Sequence, residues 1–224
     1  MREVVFDTET TGLDPAQGDR VVEIGCVELV NMIPTGRTFH VYLNPERDMP
    51  AEAQAVHGLT NEFLRDKPVF AEVVEDFLAF VADARLVAHN AEFDMKFINA
   101  ELARLGFTAI AASRVVDTLT ITRRKFPGSP ATLDALCKRF NIDNTARTFH
   151  GALLDAQLLA EVYLELMGGR QVGMALERAG TGAETVKADR VYRAPRPHAP
   201  TAEELAAHAA FVAAIPNALW LKEQ

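Results

Sequence analysis

Two carboxylates near the start of the chain, Asp7 and Glu9, lie two residues apart at the end of an apolar segment. Because side chains alternate along a strand, the pair projects from one face, where the two negative charges repel each other. A hard divalent cation such as Mg²⁺ or Mn²⁺ relieves that repulsion, since carboxylate oxygens are the ligands it prefers. An isolated Asp-x-Glu is more often a pair of solvated acids, so the cation interpretation needs further residues.

Three more residues with suitable chemistry lie far along the chain. Asp94 stands where a helix is predicted to begin, a position that also simply suits the helix dipole. Asp155 lies inside the apolar segment 152–160, where a lone buried charge needs a partner, and a metal ion is one such partner. His150 does not share a helix face with Asp155 at about 100° per residue. The two converge if His150 lies on the loop before the helix, a position that suits a general base.

The elements that position these residues follow from hydrophobic periodicity. Strands are predicted around 2–9, 21–30 and 38–43, which together form an antiparallel meander. Two short strands, 86–88 and 115–116, are each followed by a helix, which indicates crossover units. Helices are predicted at about 70–81, 93–105, 118–124, 133–140 and 152–167.

The composition is that of a soluble globular protein, with 224 residues, 49% of them apolar and 24% charged. The chain has neither a run of 18 apolar residues nor the pattern of a signal peptide, which predicts a cytoplasmic protein without a membrane span. Cys26 and Cys137 lack metal-ligand spacing, which favours buried reduced thiols over a disulfide or a zinc site. Residues 1–168 hold 16 basic and 25 acidic groups, net −9, so any contact with nucleic acid requires cations.

The composition changes after Gly169. We therefore predict a main domain at 1–169, a flexible linker at 170–200, rich in Pro and Gly, and a C-terminal helix and tail at 201–224. Thr201 and Glu204 match a capping box that opens an alanine-rich helix.

Two parts of this C-terminal region suit binding to other proteins. Segment 171–176 presents Gln171, Met174 and Leu176, a short extended pattern that fits a groove on a partner. The same pattern also occurs by chance in linkers. Trp220 suits an interface anchor, and the alternative is that the C-terminal helix packs back on the main domain.

Three motifs together carry a family resemblance: Phe6-Asp7-Thr8-Glu9-Thr10-Thr11-Gly12, His89-Asn90-Ala91-Glu92-Phe93-Asp94 and His150-Gly151-Ala152-Leu153-Leu154-Asp155-Ala156. The chain resembles the DEDDh 3′→5′ exonucleases, whose His-x4-Asp spacing distinguishes them from their tyrosine-bearing relatives. Within that family it is similar to the proofreading subunits of bacterial replicative DNA polymerases. The resemblance covers about residues 3–168. It implies an α/β RNase H-like fold, a mixed five-stranded sheet flanked by helices, with a flexible C-terminal tail that ends in a short helix.

The resemblance also implies a role for each candidate residue. His150 is the general base. The ligands of two Mg²⁺ or Mn²⁺ ions, with Asp7 bridging them, are Asp7, Glu9, Asp94 and Asp155. The residues expected to line the nucleotide site are Asp7, Glu9, Glu52, His57 and Asp155.

The function implied is removal of mismatched 3′-terminal nucleotides during bacterial DNA replication, by two-metal hydrolysis that releases 5′-mononucleotides. The implied partners are DNA 3′ ends, the polymerase catalytic (alpha) subunit through the C-terminal tail, and the beta sliding clamp through 171–176. Outside that complex, which is part of the nucleoid-associated replisome, a monomer is expected. Two alternatives stay open: an RNase or oligonucleotide exonuclease of the same fold, and a non-catalytic adaptor between polymerase and clamp.

Overall fold

The computed structural model describes residues 1–145, 147, 149–169 and 199–216. The strands are β1 (Arg2–Thr10), β2 (Val21–Val30), β3 (Ile33–Tyr42), β4 (Arg85–Ala88) and β5 (Val115–Asp117). They form one mixed sheet with the order β3-β2-β1-β4-β5. Strand β2 runs antiparallel to β1 and β3, whereas β4 runs parallel to β1 and β5. The predicted antiparallel meander and the crossover units are both confirmed.

Helices flank this sheet. They are α1 (Ala51–His57), α2 (Asn61–Leu64), α3 (Phe70–Val81), α4 (Ala91–Arg104), α5 (Thr118–Lys125), α6 (Leu133–Phe140) and α7 (Ala152–Leu166), with short 3₁₀ turns at Pro15–Gln17 and Ala112–Arg114. Helices α3 to α7 confirm the five predicted from the sequence. The sequence does not predict α1 or α2, because elements of seven and four residues are too short to show a helical period.

Apolar residues on the two faces of the sheet form two core layers. Val4 and Phe6 of β1 pack in the layer that contains the apolar residues of α3 and α4. Val5 points to the other face and packs with apolar residues of α6 and α7. Strand β1 is therefore covered on both sides, which explains its continuous apolar run. This arrangement places α4, with Asp94, and α7, with Asp155, on opposite faces of β1.

Two of the boundaries that differ from the sequence prediction have a clear physical reason. Strand β3 begins at Ile33 rather than at 38, because residues 33–38 are exposed and show no apolar alternation that could reveal a strand. Only their pairing with β2 keeps them extended. Helix α4 ends at Arg104, so Leu105 is 39% exposed and does not belong to the buried face.

Helix α7 approaches the sheet closely at Gly25. This residue lies in β2 directly opposite Asp7. A Cβ at Gly25 would overlap backbone atoms of Ala152 and Leu153 in the first turn of α7. The glycine thus lets α7 bring Asp155 toward the face that carries Asp7. An isolated glycine inside a predicted strand is the sequence signal of such an approach.

Replacing Gly25 with Ala is expected to lower the free energy of unfolding by about 1–3 kcal/mol, because the added methyl group must push α7 away from the sheet. Thermal unfolding followed by circular dichroism measures this loss. Gly106→Ala is the control, since Gly106 has a φ of +77° and open space around its Cα, so only backbone strain is added there. Equal melting temperatures for Gly25→Ala and wild type would contradict the close packing.

The C-terminal residues 199–216 contain α8 (Ala202–Ala214). The Thr201 hydroxyl accepts a hydrogen bond from the Glu204 N–H at 3.2 Å, and the Glu204 carboxylate accepts one from the Thr201 N–H at 2.8 Å. The predicted capping box is therefore confirmed. Segment 171–176, with Gln171, Met174 and Leu176, lies outside the described residues, as do Trp220 and residues 170–198 of the predicted linker.

Both cysteines, Cys26 and Cys137, are buried free thiols, as the sequence predicts. Across the part of the chain that the structure describes, every helix is too short or too polar to span a lipid bilayer.

Candidate active site

Strand β1 supplies the first two acids at its carboxyl end. Asp7 and Glu9 line one cavity, and Glu9 is only 8% exposed. The register between β1 and β2 shifts between Glu9 and Thr10, and such irregularities redirect side chains next to functional sites. Regular pairing of β1 with β2 as far as Glu9 keeps the two acids on one face of the strand, as predicted.

Asp94 reaches the same place from α4. Asn90 adopts a left-handed φ of 66° just before the helix, and the Asp117 carboxylate at the end of β5 accepts hydrogen bonds from the N–H groups of Asn90 and Ala91 at 3.0 and 3.4 Å. This turn sets the first turn of α4, which holds Asp94. One oxygen of Asp94, Oδ1, then accepts bonds from the N–H and the hydroxyl of Thr8 at 3.1 and 2.7 Å. Two strands therefore position Asp94: β1 binds it directly through Thr8, and β5 binds the start of its helix through Asp117.

The third segment joins His150 to Asp155. His150 lies on the loop just before Gly151, the N-cap of α7, as the sequence requires for the two to converge. Its Nδ1 lies 3.5 Å from Asp155 Oδ2. The backbone N–H of His150 donates to the Val56 carbonyl of α1 at 3.2 Å, so α1 holds this loop beside the acids.

Five predicted residues therefore meet in one cavity of about 430 Å³: Asp7, Glu9, Asp94, His150 and Asp155. Within this group, Glu9, His150 and Asp155 can each offer one ligand atom such that these atoms lie within 4.8 Å of one another. Asp7 and Asp94 line the same cavity. Segments separated by more than 50 residues in sequence thus supply one acidic site.

Three acids of this cavity, Asp7, Glu9 and Asp94, have raised pKa values. Burial raises the pKa of Asp7 well above its ordinary value, and the carboxylates of Asp94, Glu9 and Asp155 raise it further. Burial, followed by Glu23, Asp155 and Asp94, raises the pKa of Glu9 to about 8. Burial also raises the pKa of Asp94 to about 7, although the bonds from Thr8 oppose this. The neighbouring carboxylates therefore make Asp7 and Glu9 harder to ionise than burial alone does.

Two buried acids outside the cavity have arginine partners. Glu101 accepts two bonds from the Arg20 guanidinium at 2.7 and 3.0 Å, and Glu28 pairs with Arg2 and Arg37 at 2.7 and 3.0 Å. Among the described residues, Asp7, Glu9 and Asp94 have no such ion pair. Their oxygen-rich donor set and their mutual repulsion fit hard divalent cations such as Mg²⁺ or Mn²⁺.

One basic residue enters this acidic cavity without having been predicted. Arg147 Nε and Nη2 donate to the two oxygens of Asp155 at 2.6 and 2.7 Å. Nη1 donates to Asp134 Oδ2 at 2.8 Å, and Nη2 donates to His150 Nδ1 at 2.9 Å. The sequence predicts that buried Asp155 needs a partner, of which a metal ion is one, and this guanidinium is another. Nothing in a loop arginine's sequence context signals such a contact.

A second cavity, of about 440 Å³, adjoins the first. Glu52 and His57 of α1 line it, and Glu9 belongs to both cavities. His57 Nδ1 accepts the N–H of Leu59 at 3.0 Å, so the neutral ring carries its proton on Nε2. That nitrogen is buried and has no hydrogen-bond partner among the described residues. Burial lowers the pKa of His57 more than the nearby Thr10 carbonyl raises it, which keeps the ring neutral at pH 7.

The raised pKa values predict how stability depends on pH when EDTA removes cations. Folded Glu9 and Asp94 titrate near 8 and 7, against ordinary values of 4.5 and 3.8, so between these limits the folded chain binds more protons than the unfolded chain. The free energy of unfolding then falls by a few kcal/mol as the pH rises through this window.

Differential scanning calorimetry in EDTA is expected to give a higher melting temperature near about pH 5.5 than near about pH 8. Added Mg²⁺ is expected to remove most of the difference, because a cation stabilises the ionised carboxylates. Identical melting temperatures at the two pH values in EDTA would show that the pKa values of Glu9 and Asp94 are not raised in the folded chain.

Comparisons with known proteins agree with the geometry. The RNase T family model, described as an exonuclease, matches residues 4–163. A protein of Rickettsia conorii named DNA polymerase III subunit epsilon is 50% identical over 222 residues, covering 96% of each chain. The Escherichia coli protein of the same name is 45% identical over 222 residues, covering 93% of this chain and 91% of its own.

A solved structure, Exonuclease X in complex with 5′ overhanging duplex DNA, is similar with a TM-score of 0.57 and 26% identity, and the match covers 73% of this chain and 90% of that chain. The mixed five-stranded sheet with flanking helices is the RNase H-like fold that the sequence motifs imply. The chain belongs to the DEDDh exonuclease family and, within it, to the family of epsilon subunits of bacterial DNA polymerase III.

Proposed function

We propose that this protein is a proofreading 3′→5′ exonuclease that removes mismatched 3′-terminal nucleotides from DNA during replication and releases 5′-mononucleotides. One observation carries the proposal: four acids and a histidine from three distant segments line one cavity beside a second cavity of nucleotide size. Membership of the epsilon family supports DNA as the substrate.

In this proposal, two Mg²⁺ or Mn²⁺ ions are held by Asp7, Glu9, Asp94 and Asp155. When bound, such ions neutralise phosphate charge, activate water and stabilise the leaving oxygen. His150 accepts the proton of the attacking water at Nδ1, the nitrogen that faces Asp155. Because His150 lies on an exposed loop, its side chain can adjust to the position of the attacking water when the substrate binds.

The second cavity is proposed to hold the terminal nucleoside. His57 Nε2–H is a buried donor in its wall that finds no hydrogen-bond partner among the described residues, and such a group is costly to leave unpaired. A sugar or base oxygen of the nucleotide would satisfy it. Glu52 lies on the same helix and accepts hydrogen bonds from the nucleotide's hydroxyl or amino groups. Both residues line the same cavity as Glu9, so a nucleoside bound here presents its phosphate to the acids.

The direct test uses the full chain with Mg²⁺ and a single-stranded DNA labelled at its 5′ end. Stepwise shortening with release of 5′-mononucleotides is expected, faster at mismatched than at paired primer ends. An RNA strand of the same sequence is degraded much more slowly. Faster cleavage of RNA would favour the RNase alternative, and binding of both partners without any cleavage would favour the adaptor.

The C-terminal region is proposed to connect the enzyme to the replication machinery. The tail with Trp220 binds the polymerase alpha subunit, and segment 171–176 binds the beta clamp. Deleting 190–224 is expected to leave nuclease activity intact and to abolish comigration with alpha in gel filtration. Replacing Gln171, Met174 and Leu176 with Ala is the matched variant, which loses clamp binding only. A stable complex of the truncated chain with alpha would contradict the docking proposal.

A further inference from the structure

Arg147 is a largely buried arginine at the acidic cavity that contacts three residues, Asp134, His150 and Asp155. Its side chain is 9% exposed and that of Asp155 is 3% exposed. The planar guanidinium binds both Asp155 oxygens at 2.6 and 2.7 Å, in the bidentate geometry of the strongest ion pairs. The same group reaches Asp134 and His150, so one side chain joins the ends of two helices through the loop between them.

The bonds to Asp155 and His150 involve atoms that the proposed chemistry of the site uses. An arginine only donates hydrogen bonds, so His150 Nδ1 must be the acceptor of the bond at 2.9 Å. That lone pair is the one that would take a proton from water. Each Asp155 oxygen keeps a second lone pair, but a guanidinium at 2.6 and 2.7 Å repels a divalent cation that approaches the same carboxylate. The guanidinium in this position therefore opposes both metal binding at Asp155 and proton transfer to His150 Nδ1.

The contact with Asp134 differs from the other two. Asp134 is in the first turn of α6 and its side chain is 56% exposed. Its second oxygen, Oδ1, accepts a bond from Asn144 Nδ2 at 2.9 Å, which ties the loop to α6. Asp134 does not line the cavity, so the Arg147–Asp134 ion pair can persist after Arg147 separates from Asp155.

We propose that Arg147 is a positioning residue that acts as a latch: it holds Asp155 and His150 in place until a divalent cation displaces it from Asp155, and Asp134 then retains it at the rim. The proposal rests on the proposed function, because it assigns Asp155 to the cations and His150 to proton transfer. It is incompatible with a permanent ion pair, in which the guanidinium would stay bound to Asp155 after the divalent cation binds.

The first test measures Mn²⁺ binding to the full chain by isothermal titration calorimetry. Arg147→Gln is expected to bind Mn²⁺ more tightly by on the order of tenfold, because a competing cation has been removed. Arg147→Lys keeps the charge but loses the planar fork, and its affinity falls between the two. Arg124→Gln, at an exposed arginine in the last turn of α5, is the matched control and binds as wild type does. Unchanged or weaker binding by Arg147→Gln would overturn the latch.

The second test uses the wild-type chain, so it holds even if a substitution at Arg147 impairs folding. NMR follows the arginine Nε–H resonances during a Mg²⁺ titration, with the Arg147 signal identified by its loss in Arg147→Lys. This resonance is expected to shift and to exchange faster with water along the Mg²⁺ binding curve. A resonance that is unchanged at saturating Mg²⁺ would show that Arg147 keeps Asp155, and the proposal would be wrong.

These readouts separate the latch from the proposed function. Displacement of Arg147 by Mg²⁺ without release of mononucleotides from DNA would leave the latch standing and reject the exonuclease. Release of mononucleotides with the Arg147 resonance unmoved would do the reverse.

Discussion

Replacing Asp7 with Asn is expected to lower the rate of mononucleotide release from DNA by on the order of 10³-fold or more, because a ligand with the charge of a carboxylate contributes several kcal/mol to the stabilisation of phosphate charge. Asn is isosteric with Asp, so the shape of β1 is kept. The measurement is kcat on a 5′-labelled single strand in saturating Mg²⁺.

The same substitution is expected to raise the melting temperature in EDTA near about pH 8. Asp7 is the acid whose ionisation meets repulsion from Asp94, Glu9 and Asp155, and the amide carries no charge. Loss of activity combined with a gain of stability is the signature of a site whose charges are arranged for function.

Asp76→Asn is the matched control, because Asp76 is an exposed acid on α3 outside the cavity, and neither activity nor stability should change by more than a small factor. Activity of Asp7→Asn near that of wild type would remove Asp7 from the cation site. A lower melting temperature in EDTA would instead show that the Asp7 carboxylate makes attractive contacts that stabilise the fold more than the repulsion destabilises it.

Replacing His150 with Ala is expected to lower kcat by roughly 10²–10⁴-fold, the usual contribution of a positioned general base. The affinity for DNA should change little, since His150 is an exposed loop residue whose proposed role begins only when water attacks. Single-turnover cleavage gives the chemical rate, and fluorescence anisotropy with Ca²⁺ in place of Mg²⁺ gives the affinity.

A second measurement on the His150→Ala chain separates base chemistry from loop position. The backbone bond from residue 150 to Val56 does not involve the side chain, so the loop should stay in place. Added imidazole is expected to restore part of the rate by entering the space of the lost ring. An unchanged kcat, or a loss of DNA binding as large as the loss of rate, would contradict the role of general base.

Much of this site can be predicted from local sequence. The alternation of β1 predicts that Asp7 and Glu9 share a face, and the angle between His150 and Asp155 on a helix predicts that the histidine must lie on the loop. The structure confirms both. These predictions succeed because strand and helix geometry relate neighbouring residues by fixed angles, whatever the rest of the chain does.

Local patterns in the sequence thus predict the family, the five strands, the helices α3 to α7 and the acids of the cavity, since each leaves a periodic or spaced pattern. They do not predict that Arg147 binds Asp155, that α7 is the helix that contacts the sheet at Gly25, or that the short helix α1 supports the His150 loop. Those contacts join segments that lie far apart in the chain or on irregular loops. Their energies depend on distances of a few ångströms that are set by packing of the whole domain, which no local pattern of residues records.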